Sequence, residues 1–419
     1  MGWVRRAIPT KNVQPDPILV GLDLNSTAAR AVHGPAHIEP RPLVLGGAAE
    51  DLPMILSLEN RHPVAGHAGA VLCRQAPHLA CLDFLASLGE RREWAAGRHR
   101  LDAAKALRVV FDHLQGACAD AEGIVLAVPG YLTRAQVALI AQLAAKAKLK
   151  IVGSLAAPLA NALAAYSVQP WVGTALVLDI DDHALVASTV TADGDQLWVH
   201  ATQKWAALNL RVWKGRILDA IADRCVRQSR RDPRDCASAE QSIYEQLEHA
   251  LGRAKEGKFV EVLIQTTHWY QNLILRPEEF ASFCDRLVAQ TVDHVRSLLA
   301  SASTRETIRC ICVTHAASRL PGLVGVLEKA IQAQPQSAEP LPSADFGDDL
   351  IEPLGEPAGV VVLPHDAAAR SAHNIAVSFQ RKELARGHLE LTIPLPKSEA
   401  TPADADPAKR NLRILSADP

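Results

Sequence analysis

Two short stretches of this chain echo each other: Ile18-Leu19-Val20-Gly21-Leu22-Asp23-Leu24 near the start, and Ala175-Leu176-Val177-Leu178-Asp179-Ile180 far downstream. Each is an apolar run closing on an aspartate. A run this apolar reads as a strand buried on both faces, so an acid at its end is costly unless it reaches a cation, solvent or hydrogen-bond donors. In nucleotide enzymes such an aspartate positions Mg²⁺ through water beside a phosphate-binding turn. The turns that follow differ. Leu24-Asn25-Ser26-Thr27 is short and hydroxylated and can cradle phosphate, whereas Ile180-Asp181-Asp182-His183 carries two more acids and should repel it.

At 419 residues the chain exceeds the size at which one hydrophobic core stops growing, so two lobes are expected. A formal net charge of −2 gives no global electrostatic reason to expect nucleic acid or an anionic membrane as partner. No apolar stretch reaches the length of a membrane span, and polar sequence follows Met1-Gly2-Trp3, so a soluble cytoplasmic protein is expected. The eight cysteines sit mostly in apolar stretches without a Cys-x-x-Cys pair, as buried free thiols do.

Along the chain, strand, turn and strand run from Asp16 to about His33, and a Pro- and Gly-rich stretch continues to about Gly69. Periodicity then predicts a helix over 101–119 with Leu107, Phe111 and Leu114 on one face. A strand over 124–128 follows, then a helix over 134–147 capped by Thr133, a strand at 150–153 and a helix over 158–166. Strands alternating with helices imply α/β. Residues 173–190 read as a hairpin around Asp181-Asp182, with a further strand at 197–200. Helices over 210–225, 238–255 and 277–300, a hairpin from 260–265 to 273–275, and strands at 308–313 and 360–363 complete the second half. Residues 332–355, rich in Pro, Ser and Asp, read as a loop. The tail from Pro394 cannot bury enough apolar surface to order itself.

This order of elements resembles the ATPase domain of the DnaK-type, seventy-kilodalton heat-shock chaperones, within the actin and sugar-kinase superfamily. Gly21-Leu22-Asp23-Leu24-Asn25-Ser26-Thr27 is similar to the family's first phosphate loop, and Val128-Pro129-Gly130-Tyr131-Leu132-Thr133-Arg134-Ala135-Gln136 to its Val-Pro-Ala-Tyr-Phe-x-x-x-Gln. The stretch from Val177 to His183 stands where the second phosphate loop, Asp-Leu-Gly-Gly-Gly-Thr, belongs. Thr314-His315-Ala316-Ala317-Ser318-Arg319-Leu320-Pro321 resembles the adenosine motif. The resemblance implies an α/β, two-lobed actin-like ATPase fold of duplicated ribonuclease-H-like lobes. Lobe I would span 16–171 after an N-terminal extension of 1–15, and lobe II would span 172–365. A helix over 366–388 would return to lobe I, leaving a tail over 389–419 with no room for a substrate-binding domain.

The resemblance implies ATP or ADP with Mg²⁺ in the cleft, held by Asp23, Asn25, Ser26, Thr27, Asp179, His315 and Arg319, with Asp23 and Asp179 on the metal side. On the opposite wall the adenosine clamp aligns either with Leu251-Gly252 or with Arg253 and Lys255. The positions that carry the family's chemistry are the ones that differ. Its phosphate-contacting lysine falls at Ala70 and its Mg²⁺-side glutamate at Ala157, and phosphoryl transfer depends almost wholly on positioning and charge neutralisation. A carboxylate about 4 Å from a phosphate oxygen is opposed by roughly 4 kcal/mol at an effective dielectric near 20. The expectation is a degenerate pseudo-ATPase that binds or scaffolds a protein partner. The alternative is a divergent chaperone-like ATPase with a working Mg-ATP switch, and a small-molecule kinase is a distant third.

Other groupings have structural readings. Asp179, Asp181, Asp182 and His183 form either a divalent-metal cluster or, as preferred, a tight solvated turn. Arg227, Arg230, Arg231 and Arg234 read as a solvated face, and the stretch from Arg91 to Arg100 as the exposed start of a helix rather than a nucleic-acid contact.

Overall fold

The computed structural model describes residues 17–35, 38–193, 196–301, 308–333, 359–381, 391–394 and 411–414. The extension 1–15, most of the expected 332–355 loop and much of the tail lie outside the described residues.

Two sheets share one plan. In the first, strands run in the order Ile151–Ala156, Gly123–Val128, Leu19–Leu24, Ala28–Gly34 and Arg41–Leu43. In the second, the order is Val360–Val362, Ile308–Val313, Gly173–Ile180, Leu185–Asp193 and Gln196–Trp205. In both, the aspartate-ending strand is parallel to the neighbour on one side and forms an antiparallel hairpin with the strand on the other. Asp23 and Asp179 therefore occupy equivalent places, which is why their surrounding sequences echo each other. The fold is α/β with duplicated lobes.

Alternation along each strand decides which way the acids face. Val20, Leu22 and Leu24 pack outward under the helices Ala103–Ala117 and Arg134–Lys146, while Leu19 belongs to the core between the lobes. Likewise Leu176, Leu178 and Ile180 face the outer core of lobe II, and Ala175 and Val177 face the inner one. Side chains in a strand alternate with period two, so Gly21, Asp23 and Asp179 share the inner face. Two helices, Ala157–Val168 and Ala367–Arg381, fill the space between the sheets. The C-terminal helix lies so close to Leu19–Leu24 that a Cβ on Gly21 would stand 1.9 Å from the Ala369 carbonyl oxygen.

The stretch from Arg91 to Arg100 differs from the expected helix start. It is a hairpin of Glu93–Ala96 and His99–Asp102 turning at Gly97, whose φ of 55° suits glycine. Arg92 lies 4.7 Å over the Trp94 ring. The helix begins only after Asp102, whose side chain accepts from the Lys105 N–H. Strands Ile55–Ser57, Val64–Ala65 and Ala80–Leu82 form a further small sheet, the first two within the Pro- and Gly-rich region and the third just beyond it, where short β segments left little pattern in the sequence. In the tail, Leu391–Pro394 and Asn411–Ile414 pair with each other, and Asn411–Ile414 runs parallel to Gln196–Trp205 at the edge of the second sheet, where unpaired backbone groups are a template for a further strand.

Candidate functional site

The two turns after Asp23 and Asp179 meet across the cleft, and their backbone donors are all engaged by the protein itself. In the first turn the Asn25 side-chain oxygen accepts from the Thr27 and Ala28 N–H groups, both at 3.0 Å, an Asx turn that needs no glycine. The remaining donor, Ser26 N–H, reaches across to the Asp181 carboxylate at 3.0 Å. That carboxylate also accepts from the Tyr131 hydroxyl at 2.6 Å and from the His183 and Ala184 N–H groups at 2.9 Å each. In return, the Asp182 N–H donates to the Thr27 hydroxyl oxygen at 2.9 Å. Each turn thus donates one backbone N–H to a side chain of the other.

Asp181 is only 4% exposed and Asp182 6%, so the solvated turn expected around them is instead a buried junction. A buried carboxylate needs donors, and Asp181 finds four of them. Burial still holds its acid above the ordinary range, with the bonds from Tyr131, Ala184 and Ser26 pulling it back.

A second layer fastens the same junction. Asp83, in lobe I, pairs with His183 at 3.0 Å and with Arg211 at 3.4 Å, both from lobe II. Burial would raise Asp83, but the His183 bond and the Arg211 charge hold it below its usual value. Arg211 also donates to the Asp182 carbonyl at 3.0 Å. Tyr131 is seated by the motif around it: Thr133 and Gln136 form a capping box, and the Gln136 amide ties down the Ala86 and Leu88 carbonyls beside Asp83. The Tyr131 and His183 rings lie 4.8 Å apart.

Beside this junction the lobes enclose a cavity of about 590 Å³, with Asp23, Asn25, Thr27, Asp179, Asp182, His315 and Arg319 on its walls. Ala70 and Ala157 also line it, presenting methyl groups where charged groups were implied. Burial pushes Asp23 up to about 7, with Arg30 opposing at 3.6 Å and Asp179 adding to the rise. Asp179 is raised by burial too, although it accepts from Thr314 and the Ile180 N–H at 2.9 and 2.8 Å.

The cavity's cations are committed internally. Arg30 bonds Asp51 at 2.9 Å, and Lys214 lies 2.5 Å from Glu248, which also pairs with Arg319 at 2.8 Å. Burial would lower Lys214, but Glu248 and Asp182 hold it above its ordinary value. Among the described residues no group of three or more His, Cys, Asp or Glu side chains is placed to hold a metal ion.

Of the residues expected to bind, Ser26 stands behind the cavity wall in the junction, while Asp23, Asn25, Thr27, Asp179, His315 and Arg319 surround the space. Arg253 and Lys255 do not line it: Arg253 bonds the Phe259 carbonyl and Lys255 the Ser318 hydroxyl, and the wall on that side is built from Tyr244, Glu248 and Leu251. Arg234 is neutralised by Asp219, Asp223 and Asp232. Lys214 escaped the sequence reading, yet it left a signal. It sits on the stripe of Leu210, Trp213, Ile217 and Ile221, so a charged residue was going to the core.

No helix of the described residues is long and apolar enough to cross a membrane. No curated protein matches the chain. The family model described as Hsp70 protein matches residues 111–339, more than half of the chain, taking in the Tyr131 motif, the second turn and the adenosine motif. Domains of this family bind ATP or ADP with Mg²⁺ as a rule, and its members interact with proteins. Together with the paired sheets and the cleft between them, that match places this chain in the Hsp70 family.

Proposed function

We propose that this Hsp70-type nucleotide-binding domain works as a pseudo-ATPase, a cytoplasmic partner-binding or scaffolding module whose lobes are held closed without nucleotide. The observation that carries the reading is the Asp181 carboxylate seated on the Ser26 N–H of the first turn and on the His183 and Ala184 N–H groups of its own. An anion bound by backbone donors is what a phosphate loop offers its ligand. In this chain the anion is a side chain. A triphosphate does not fit this arrangement, because the backbone donors are taken, the cations are paired and Asp182 adds a further buried acid. Asp23 faces Arg30 at 3.6 Å, and Asp179 commits only its Oδ1, to Thr314 and the Ile180 N–H, so the two together do not offer Mg²⁺ an uncommitted pair of carboxylates.

Closure that requires no ligand suits a module read by its shape. The hydrogen bonds between the two turns support this reading, since a pair of lobes joined by side chains offers a protein partner one shape where a nucleotide switch offers two. Single-turnover hydrolysis of ATP tests this: no rate dependent on Asp23 is expected, and a measurable rate abolished by Asp23→Ala would overturn the reading.

The cavity favours a second reading. A space of about 590 Å³ is large enough for a ligand of nucleoside size, and Asp23 and Asp179 border it. A chaperone-like ATPase with a Mg-ATP switch would use it, and ATP would then change protease sensitivity between the lobes.

A further inference from the structure

We propose that the interlobe cavity takes a small organic cation, an ammonium group on an apolar body, with Asp182 and Asp179 receiving the charge. The proposal rests on the reading above, in which Asp181 fills the place of phosphate and leaves the rest of the cleft open.

The cavity is rich in carboxyl groups: Asp23, Asp51, Asp179, Asp182, Glu245 and Glu248 line it against Arg30, Lys214 and Arg319, and a ligand cation would favour the ionised form of those that burial holds back. Arg30 is shared by Asp23 and Asp51, and Lys214 and Arg319 are both drawn to Glu248. Glu245 accepts from the Gln241 amide at 2.9 Å. No ion pair within the described residues reaches Asp179 or Asp182.

Asp182 supplies the second observation. It is 6% exposed and lines the cavity, and its Oδ1 has no hydrogen-bond partner among the described residues. The cations that act on it from a distance are engaged elsewhere, Lys214 with Glu248 and Arg211 with Asp83 and the Asp182 carbonyl. Oδ1 itself is closed off, but Oδ2 also accepts no hydrogen bond from the described residues, and a buried carboxylate without a donor is costly, so a ligand N–H or ammonium in the cavity supplies one at Oδ2. Among the described residues no three His, Cys, Asp or Glu side chains are grouped to hold a metal ion, so a cation that carries its own volume suits the site better. The remaining walls match such a body: Ile55, Val71, Ile180, Leu210 and Leu251 line the space. Apolar walls with a few convergent polar groups are the usual make-up of a small-molecule pocket.

The test compares three probes of one shape on the full-length protein, phenethylamine, phenethyl alcohol and 3-phenylpropanoate, by thermal unfolding and calorimetric titration. Millimolar phenethylamine should raise the unfolding midpoint by about 2 °C or more, since a ligand that binds only the folded state stabilises it. The alcohol and the carboxylate should not. Asp182→Asn should weaken amine binding at least about tenfold, as loss of a buried charge partner does. Asp179→Asn reads the same effect should the first variant fail to fold. Equal binding of amine and alcohol, unchanged binding in both variants, no binding of the amine, or stabilisation by Mg²⁺ or Ca²⁺ alone would each overturn the proposal. A parallel run with Mg-ATP separates the two readings: stabilisation by the nucleotide removes the pseudo-ATPase reading, whereas failure of the amine alone leaves it standing.

Discussion

The Asp181 carboxylate of lobe II and the Ser26 backbone N–H of lobe I are hydrogen-bonded at 3.0 Å across the cleft, although 155 residues separate them in sequence. The same carboxylate gathers the Tyr131 hydroxyl and two N–H groups of its own turn, so one side chain ties together both loops and the motif between them.

Replacing Asp181 by Ala strips the acceptor from four donors, those of Ser26 and Ala184 in buried bonds and those of Tyr131 and His183 in partly buried ones. Urea unfolding should show a loss of about 2 to 4 kcal/mol, because each orphaned buried donor carries a desolvation cost that water entering the gap only partly relieves. The lobes should also part more readily, so limited proteolysis near residues 25–28 and 181–184 should quicken beyond what global stability explains.

Tyr131→Phe removes the hydroxyl that donates to Asp181 and stands 2.8 Å from the Ser26 hydroxyl, and keeps the ring beside His183. A smaller loss of about 1 to 2 kcal/mol is expected by the same unfolding measurement, and the double variant with Asp181→Ala should be markedly less than additive because the two groups share one bond.

Stability should fall as pH rises from about 4 to 7. Asp23 ionises near 3.8 when unfolded but is pushed up to about 7 by burial in the fold, so the folded state holds a proton the unfolded chain has released across that window. The proton held in this way is worth about 4 kcal/mol below pH 4, and that contribution is lost as the pH rises through 7. Asp179, Asp181 and Asp182 are raised by burial as well and act with the same sign. Denaturant unfolding at pH 5 and pH 8 should show the wild type weaker at the higher pH, and Asp23→Asn should flatten the difference.

Gly21→Ala should cost about 3 kcal/mol or more, since the new Cβ meets the Ala369 carbonyl oxygen and, at 2.4 Å, the His373 backbone nitrogen. The C-terminal helix has to move. Hydrogen exchange over 367–378 should speed up in this variant while the lobe II core stays protected.

The fold was legible because the strand and helix periods were strong where the core is. The apolar runs at 18–24 and 175–180, the Thr133 cap and the amphipathic helix read over 277–300 each announced themselves by pattern. The hairpin at 93–102 did not, because its alternating face is made of charged and small residues that resemble a helix start. At the site, the sequence identified the acids at 181 and 182 as hostile to phosphate but gave no sign that one of them would take the phosphate's own donors. That outcome depends on two turns meeting across the cleft, a contact no local pattern encodes. The burial of Asp181 and Asp182 was hidden for the same reason: three adjacent polar residues read as solvated unless the opposite lobe is known. Lys214 was readable in principle, as a charged residue on an otherwise apolar helix stripe.

The most direct measurement is thermal unfolding of the wild-type protein with and without millimolar Mg-ATP and Mg-ADP. A nucleotide present at about 100 times its dissociation constant would add about 2.7 kcal/mol of stability and a plain upward shift. With Asp181 occupying the backbone donors, neither nucleotide should move the unfolding midpoint. A clear shift with either one, lost in Asp23→Ala, would contradict the account and return the cleft to nucleotide binding.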